Sequence, residues 1–193
     1  MNDLTGWFIA ACWVVFVVYV LIAAFSVKRT VLIDKRWNWN WLVFIVVVVV
    51  LFLLRSYEAP LWTYADEATL WPRTLALSIG TDVLALAGLI IALAGRVALG
   101  RNWNINPGLK ADHELIERGP YAYVRHPMYT GLLLMLLGTV VWYGTWAGFI
   151  IFIACFFGTW FKLSQEEKML TEHFGKNYTE YKARVKALIP FAL

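Results

Sequence analysis

The sequence predicts an all-α integral membrane protein, on three observations. Of 193 residues, 61% are hydrophobic and only 16% charged, against about 45–50% and about 25% in soluble domains. The apolar residues fall into uncharged runs of bilayer length. The basic residues gather between alternate runs, as loops on one side of a membrane do. A soluble globule and a disordered chain are both excluded.

The first run, residues 6–27, has 22 residues without a charge, about 33 Å as a helix at about 1.5 Å per residue. Asp3 stands where a signal peptide would be basic, and no small-x-small site follows, so the run reads as a span. The second, 37–54, centres on Val46 to Val50. β-Branched residues favour strand in water, but backbone groups in lipid must pair within their own segment, so helix wins. The third, 74–95, carries one charge, Asp82. An ionisable residue within a span is a functional suspect, but Asp82 lies toward the end away from the polar stretches and reads as structural. Residues 128–161 form an uncharged run of 34, about 51 Å as one helix and too long for a bilayer of about 30 Å. It breaks at Tyr143-Gly144-Thr145 into two short helices, 128–143 and 146–163, folded as a hairpin. The prediction is therefore five transmembrane helices, the last two a short hairpin, followed by cytosolic C-terminal helices.

Lys28, Arg29, Lys35 and Arg36 follow the first run, five basic residues lie in 96–127, and six lie in the tail after Phe161. The positive-inside rule places these three segments in the cytoplasm, with the N-terminus outside and the C-terminus inside. In a bacterium that membrane would be the inner one. The net charge of +4 is thereby explained by topology and anionic lipid, with no nucleic-acid partner. Trp7, Trp37, Trp39, Trp41, Trp71, Trp142, Trp146 and Trp160 fall near span ends, as interfacial anchors do. Gly80, Gly88, Gly131, Gly138 and Gly148 would let helices approach closely. Cys12 and Cys155 lie in apolar runs without metal-ligand spacing and read as free thiols. His113 and His173 lack spaced partners, so no metal is expected.

The polar chemistry collects in 96–127 and 162–193, which the hairpin returns to one side. Pro127 suits the first position of a helix and disfavours the α conformation at His126, making His126 the N-cap. A helix start with Arg125 and His126 beside it suits an anion such as a carboxylate; snorkelling to lipid phosphates is the plainer reading. Glu166 and Glu167 lie just below the membrane. Pairing with Lys162 or Lys168 across a solvated face fits the spacing most simply; accepting from ribose hydroxyls or an ammonium is the alternative. Gly175 marks a helix end. Tyr178, Tyr181, Val185 and Leu188 then share a helical face that can pack on the core or the membrane.

The ordered set Gly119-Pro120-Tyr121, Arg125-His126-Pro127-Met128-Tyr129, Glu166-Glu167 with Leu170, Phe174-Gly175, Tyr178, Tyr181 and Pro190 resembles the isoprenylcysteine carboxyl methyltransferase family. The related membrane phospholipid N-methyltransferases share the pattern. The resemblance covers roughly residues 96–193. It implies one membrane methyltransferase domain over 1–193, with three spans in 1–95 and a cofactor-binding core in 96–193. The implied cofactor is S-adenosyl-L-methionine, contacted by Gly119, Tyr121, Arg125, His126, Pro127, Tyr129, Glu166 and Glu167. Arg125 and Glu167 would carry the catalytic role, and Arg101 and Asn102 would lie near the substrate. The implied substrate is a small lipophilic carboxylate. Phospholipid N-methylation, thiol S-methylation, a nicotinamide-dependent membrane reductase and a non-catalytic scaffold are the alternatives. No Gly-rich dinucleotide fingerprint is present.

Overall fold

The computed structural model describes residues 4–24, 30–33, 69–100, 108–110 and 114–190. The expected second span, Trp37, Trp39 and Trp41, Arg101, Asn102 and His113 lie outside the described residues. In chain order the elements are α1 (Leu4–Ala24), β1 (Thr30–Ile33), α2 (Leu75–Leu99), β2 (Gly108–Lys110), a 3₁₀ turn (Gly119–Ala122), α3 (Pro127–Tyr143), α4 (Trp146–Phe174) and α5 (Lys176–Arg184). Helices dominate, as the composition requires. One feature was not anticipated: β1 and β2 pair antiparallel, Thr30 with Lys110 and Ile33 with Gly108. The pairing places the segments that follow α1 and α2 at the same end of the bundle.

Among the described residues, three helices are long and apolar enough to cross a membrane, at Leu4–Ala23, Leu75–Leu99 and Trp146–Phe174; Pro127–Tyr143 is apolar but shorter. α4 has 29 residues, about 43 Å. Its apolar part ends at Phe161, and residues 162–174 carry the charges beyond the bilayer. Gly144, at φ 60°, ends α3 in the left-handed conformation, and the Thr145 side chain caps α4 by accepting from the Gly148 amide.

α2 and α3 pack antiparallel through glycine. Lipid tails are as apolar as leucine, so helices in a bilayer associate by close packing rather than by hydrophobic burial. A Cβ on Gly88 would lie 2.6 Å from the Gly131 carbonyl oxygen, one on Gly131 would lie 2.6 Å from the Ala92 nitrogen, and one on Gly138 would lie 3.0 Å from the Thr81 carbonyl oxygen. Gly95 meets Pro127 in the same seam. Gly148 closes on Val140 between α3 and α4. A Cβ on Gly80 would have nothing within 4 Å, so this glycine is not required by close packing.

α1 buries Ile9, Cys12, Phe16 and Val20, spaced three or four residues apart, against Ala85, Leu89, Ala92 and Met135. Its two ends fix its direction. Thr5 reaches Asp82 at 3.5 Å, while Arg96 donates to the Ala23 carbonyl at 3.0 Å and to that of Gly100 at 2.8 Å. α1 and α2 therefore run parallel. Arg96 is a buried residue of α2 rather than the first residue of a loop. Trp142 is buried, with the Arg73 guanidinium 5.1 Å over its ring, and Trp71 donates to the Val141 carbonyl. These two fasten helix ends to one another, while Trp7 and Trp146 are exposed as lipid anchors would be. Cys12 and Cys155 are free, buried thiols.

Because the Gly131 Cα lies against backbone, Gly131→Val should lower stability by about 1–3 kcal/mol through overpacking. Gly80→Ala should stay within about 0.5 kcal/mol. Unfolding in bicelles measures both, and equal effects would contradict the glycine seam.

Candidate functional site

The segment entering α3 and the segment leaving α4 meet. Pro127 opens α3 and His126 is its N-cap, but the His126 side chain makes no capping bond. The backbone amides of Arg125 and His126 instead donate to the carbonyls of Lys186 and Ala187, at 2.8 and 3.0 Å. Val124 and Lys186 form a parallel bridge there. The Thr130 hydroxyl extends the seam, donating to the Leu188 carbonyl at 2.7 Å. The tail thus crosses the start of α3, held by that bridge and these hydrogen bonds. α5 stops at Arg184 and Val185 is already extended. The expected shared face therefore divides: Tyr178 and Tyr181 are buried from the helix, and Leu188 from the non-helical tail that follows it.

The anion that Arg125 and His126 attract is the chain's own Glu167. Arg125 donates through Nε to Glu167 Oε1 at 2.7 Å and through Nη2 to the same oxygen. His126 Nε2 lies 3.3 Å from Oε1, and Lys182 Nζ lies 2.8 Å from Oε2. Arg125 Nη1 donates to the carbonyls of Val185 and Lys182. Glu167 is thus a buried carboxylate with three cationic or imidazole partners, and the solvated pairing with Lys162 or Lys168 is replaced by this one. Arg125 is buried rather than snorkelling to lipid. Desolvation by itself would raise the Glu167 carboxyl; hydrogen bonds from His126, Lys182 and Arg125 outweigh it and lower it to about 2.

Glu166, one residue earlier, points to a different side of α4. Its Oε2 accepts from the Tyr129 hydroxyl at 3.0 Å, and Lys162 Nζ lies 5.3 Å over the Tyr129 ring. Tyr121 is buried, and its carbonyl accepts from the Tyr181 hydroxyl at 2.6 Å, which docks α5 on the loop before α3. Gly119, at φ 64°, begins the 3₁₀ turn in the left-handed region that glycine tolerates. Arg125, His126, Pro127, Tyr129, Glu166 and Glu167 are therefore gathered within two neighbouring clusters, with Tyr121 and Gly119 just above. Arg101 and Asn102 lie outside the described residues. Sequence reasoning missed Lys182 and Thr130 as members, and named Lys162 only as a partner across a solvated face. Lys182 was readable only as one of six tail charges, although its place beside Tyr181 put it on the docking helix.

Two predictions follow from the Glu167 cluster. A carboxyl depressed in the folded state contributes stability that is present above its unfolded value of about 4.3. That contribution is lost as pH falls toward about 2. Glu167→Gln should flatten the acid limb of a stability–pH curve, and an unchanged limb would refute the assignment. Arg125→Met should destabilise by about 3–5 kcal/mol because it strands a buried carboxylate, and adding Glu167→Met should restore much of the loss. A double-mutant cycle by chemical unfolding reads the coupling; additive losses would mean the pair does not interact.

The family model described as phospholipid methyltransferase matches residues 77–177, more than half of the chain. Protein-S-isoprenylcysteine O-methyltransferase of Schizosaccharomyces pombe is 37% identical over 82 residues, 41% of this chain and 34% of that protein. The Xenopus laevis protein of the same name is 30% identical over 136 residues, 66% of this chain and 46% of that one. The chain thus spans about a third and about half of the length of these two relatives. A probable protein-S-isoprenylcysteine O-methyltransferase of Oryza sativa subsp. indica is 29% identical over 201 aligned positions, 96% of each chain. A solved structure of the eukaryotic intramembrane Ras methyltransferase, isoprenylcysteine carboxyl methyltransferase, aligns with a TM-score of 0.47 at 25% identity, over 69% of this chain and 53% of that one. The matched stretch contains Arg125, His126, Tyr129, Glu166 and Glu167 together, and the chain belongs to the phospholipid methyltransferase family, with isoprenylcysteine O-methyltransferases among its relatives.

Proposed function

We propose that this chain is an S-adenosylmethionine-dependent methyltransferase of the isoprenylcysteine carboxyl type, acting on a small lipophilic carboxylate at the cytoplasmic face of a membrane. The observation that carries the reading is the Arg125–Glu167 contact. Two motif halves 42 residues apart in sequence meet at the end of the apolar helices, where a soluble cofactor and a lipid-borne acceptor can both arrive. The parallel course of α1 and α2 supports the five-span topology, in which one further span separates them in sequence. The two-residue link between α3 and α4 supports the hairpin, and the positive-inside rule supports an outer N-terminus and a cytoplasmic C-terminus.

The donor set on the Tyr121–Tyr129–Glu166 side fits the cofactor. Tyr129 already holds an ammonium over its ring face, and a sulfonium is attracted by the same quadrupole. Glu166 supplies a carboxylate suited to ribose hydroxyls or an ammonium. Tyr121 and Gly119 shape the loop above, and the Arg125–Glu167 pair walls the site. When bound, the cofactor supplies a methyl group on a sulfonium that leaves readily. The residues of the chain then have little proton transfer to perform, because an acceptor carboxylate is already ionised at neutral pH. Their work is to align the acceptor and exclude water, which supplies up to about 7–11 kcal/mol in well-oriented reactions. Lys162, buried where the apolar part of α4 ends, is the cation beside this face. The family model's description favours a second reading, a phospholipid amine acceptor, which would need a base; His126 and Glu166 are the candidates.

A methyl-transfer screen with labelled cofactor over prenylcysteines, phospholipids, fatty acids and thiols should give turnover with the prenylcysteine carboxylate. Methylation of lipid headgroups alone would replace that acceptor with the amine. Glu166→Gln should weaken cofactor binding by about tenfold or more, the loss of one bond to a charged group. Unchanged affinity by calorimetry would remove Glu166 from the site.

A further inference from the structure

The outer face of α4 carries a feature the proposed methyl transfer does not use. Ile150, Ile153, Phe157 and Trp160 are exposed, each three or four residues from the last, and Phe161 is exposed four residues after Phe157, so all five line a single face toward lipid. The same stripe continues past the end of the apolar run into Ser164, Lys168, Thr171 and Glu172. These residues, with Trp160, Arg125, Glu167, Lys182 and Ala187, line an open cleft of about 740 Å³. The cleft lies on the opposite side of the Arg125–Glu167 pair from Tyr129 and Glu166.

The charges in this cleft are unevenly committed. Glu167 is occupied by Arg125 and Lys182. Lys182 is half exposed, and an ammonium has three donors, so it keeps donors for the cleft. Lys168 is exposed and makes no ion pair among the described residues. The hydroxyls of Ser164 and Thr171 donate to carbonyls one turn back on α4, so the two ammonium groups do the recognising. Glu172 is the one carboxylate on the rim whose charge opposes them.

We propose that this cleft seats the phosphate of an anionic phospholipid between Lys168 and Lys182, with an acyl chain lying along Ile153, Phe157 and Trp160. The continuity of the stripe selects a lipid over a free anion, because a phosphate at the depth of Lys168 leaves its chains beside that apolar face. The bound lipid is a fixed neighbour of the site rather than a methyl acceptor, since the Arg125–Glu167 pair stands between it and the face assigned to the cofactor.

The test uses the full chain in nanodiscs of phosphatidylcholine with a minor fraction of phosphatidylglycerol, and reads lipids retained on the protein by native mass spectrometry. Phosphatidylglycerol should be enriched over its bulk fraction. Lys168→Gln should cut the enrichment about fivefold, the worth of one basic residue at an anionic surface. Lys176→Gln, on the exposed side of α5 and paired among the described residues only with Glu180, should leave it unchanged. Equal losses in the two variants would reduce the effect to diffuse surface charge and overturn the site. Displacement of the retained lipid by inorganic phosphate would reassign the cleft to a free anion, and displacement by S-adenosylmethionine would reassign it to the cofactor. No outcome depends on methyl transfer, so the lipid site and the proposed activity can fail separately.

Discussion

A carboxylate taken out of water at the membrane surface dictates the arrangement around it. Glu167 sits on the inward side of a long helix, and an unanswered charge there would cost several kcal/mol. Arg125, His126 and Lys182 answer it from three different segments. Each contact has a structural corollary. Arg125 must lie just before α3, so the loop from Gly119 folds back. Its guanidinium also binds the Val185 and Lys182 carbonyls, so the tail must turn where α5 ends. The extended tail then takes the amides of Arg125 and His126. The helix start that looked like an open anion site is thereby covered by carbonyl oxygens.

Within the bilayer the constraint is contact between backbones. α2 and α3 approach until glycine is the only residue that fits at 88 and 131. This rigid seam sets the height of Pro127, since Gly95 and Pro127 belong to it. The polar cluster inherits its position from apolar packing: the seam fixes where α3 starts, and the start of α3 fixes Arg125.

The sequence disclosed most of this where the physics is local. Uncharged length and a Gly-containing break located α3 and α4 to within a residue at their junction, because lipid leaves backbone groups no alternative to helix. Pro127 announced the N-cap at His126. Gly175 announced the end of α4. Long-range pairings were less legible. The spacing of Glu166 and Glu167 offered Lys162 and Lys168 as partners, and nothing local pointed to Arg125 or Lys182. Leu188 fitted a helical face, yet strand pairing with the segment before α3 stops the helix first. Trp142 sits at a span end like any interfacial tryptophan, and only the neighbouring α1 and Arg73 make it a buried joint. In each case the deciding partner was distant in sequence.

α4 runs without interruption from Trp146 among the lipids to Phe174 in the aqueous phase, with Glu166 and Glu167 on its projecting part. A helix answers a change in bilayer thickness by tilting. Over the roughly 30 Å between Trp146 and Glu167, a tilt of about ten degrees corresponds to a sideways shift of about 5 Å, which the docked carboxylates would resist as strain. Lipid composition and the geometry of the Glu166–Glu167 clusters are thereby mechanically joined, with the shaft itself as the transmission.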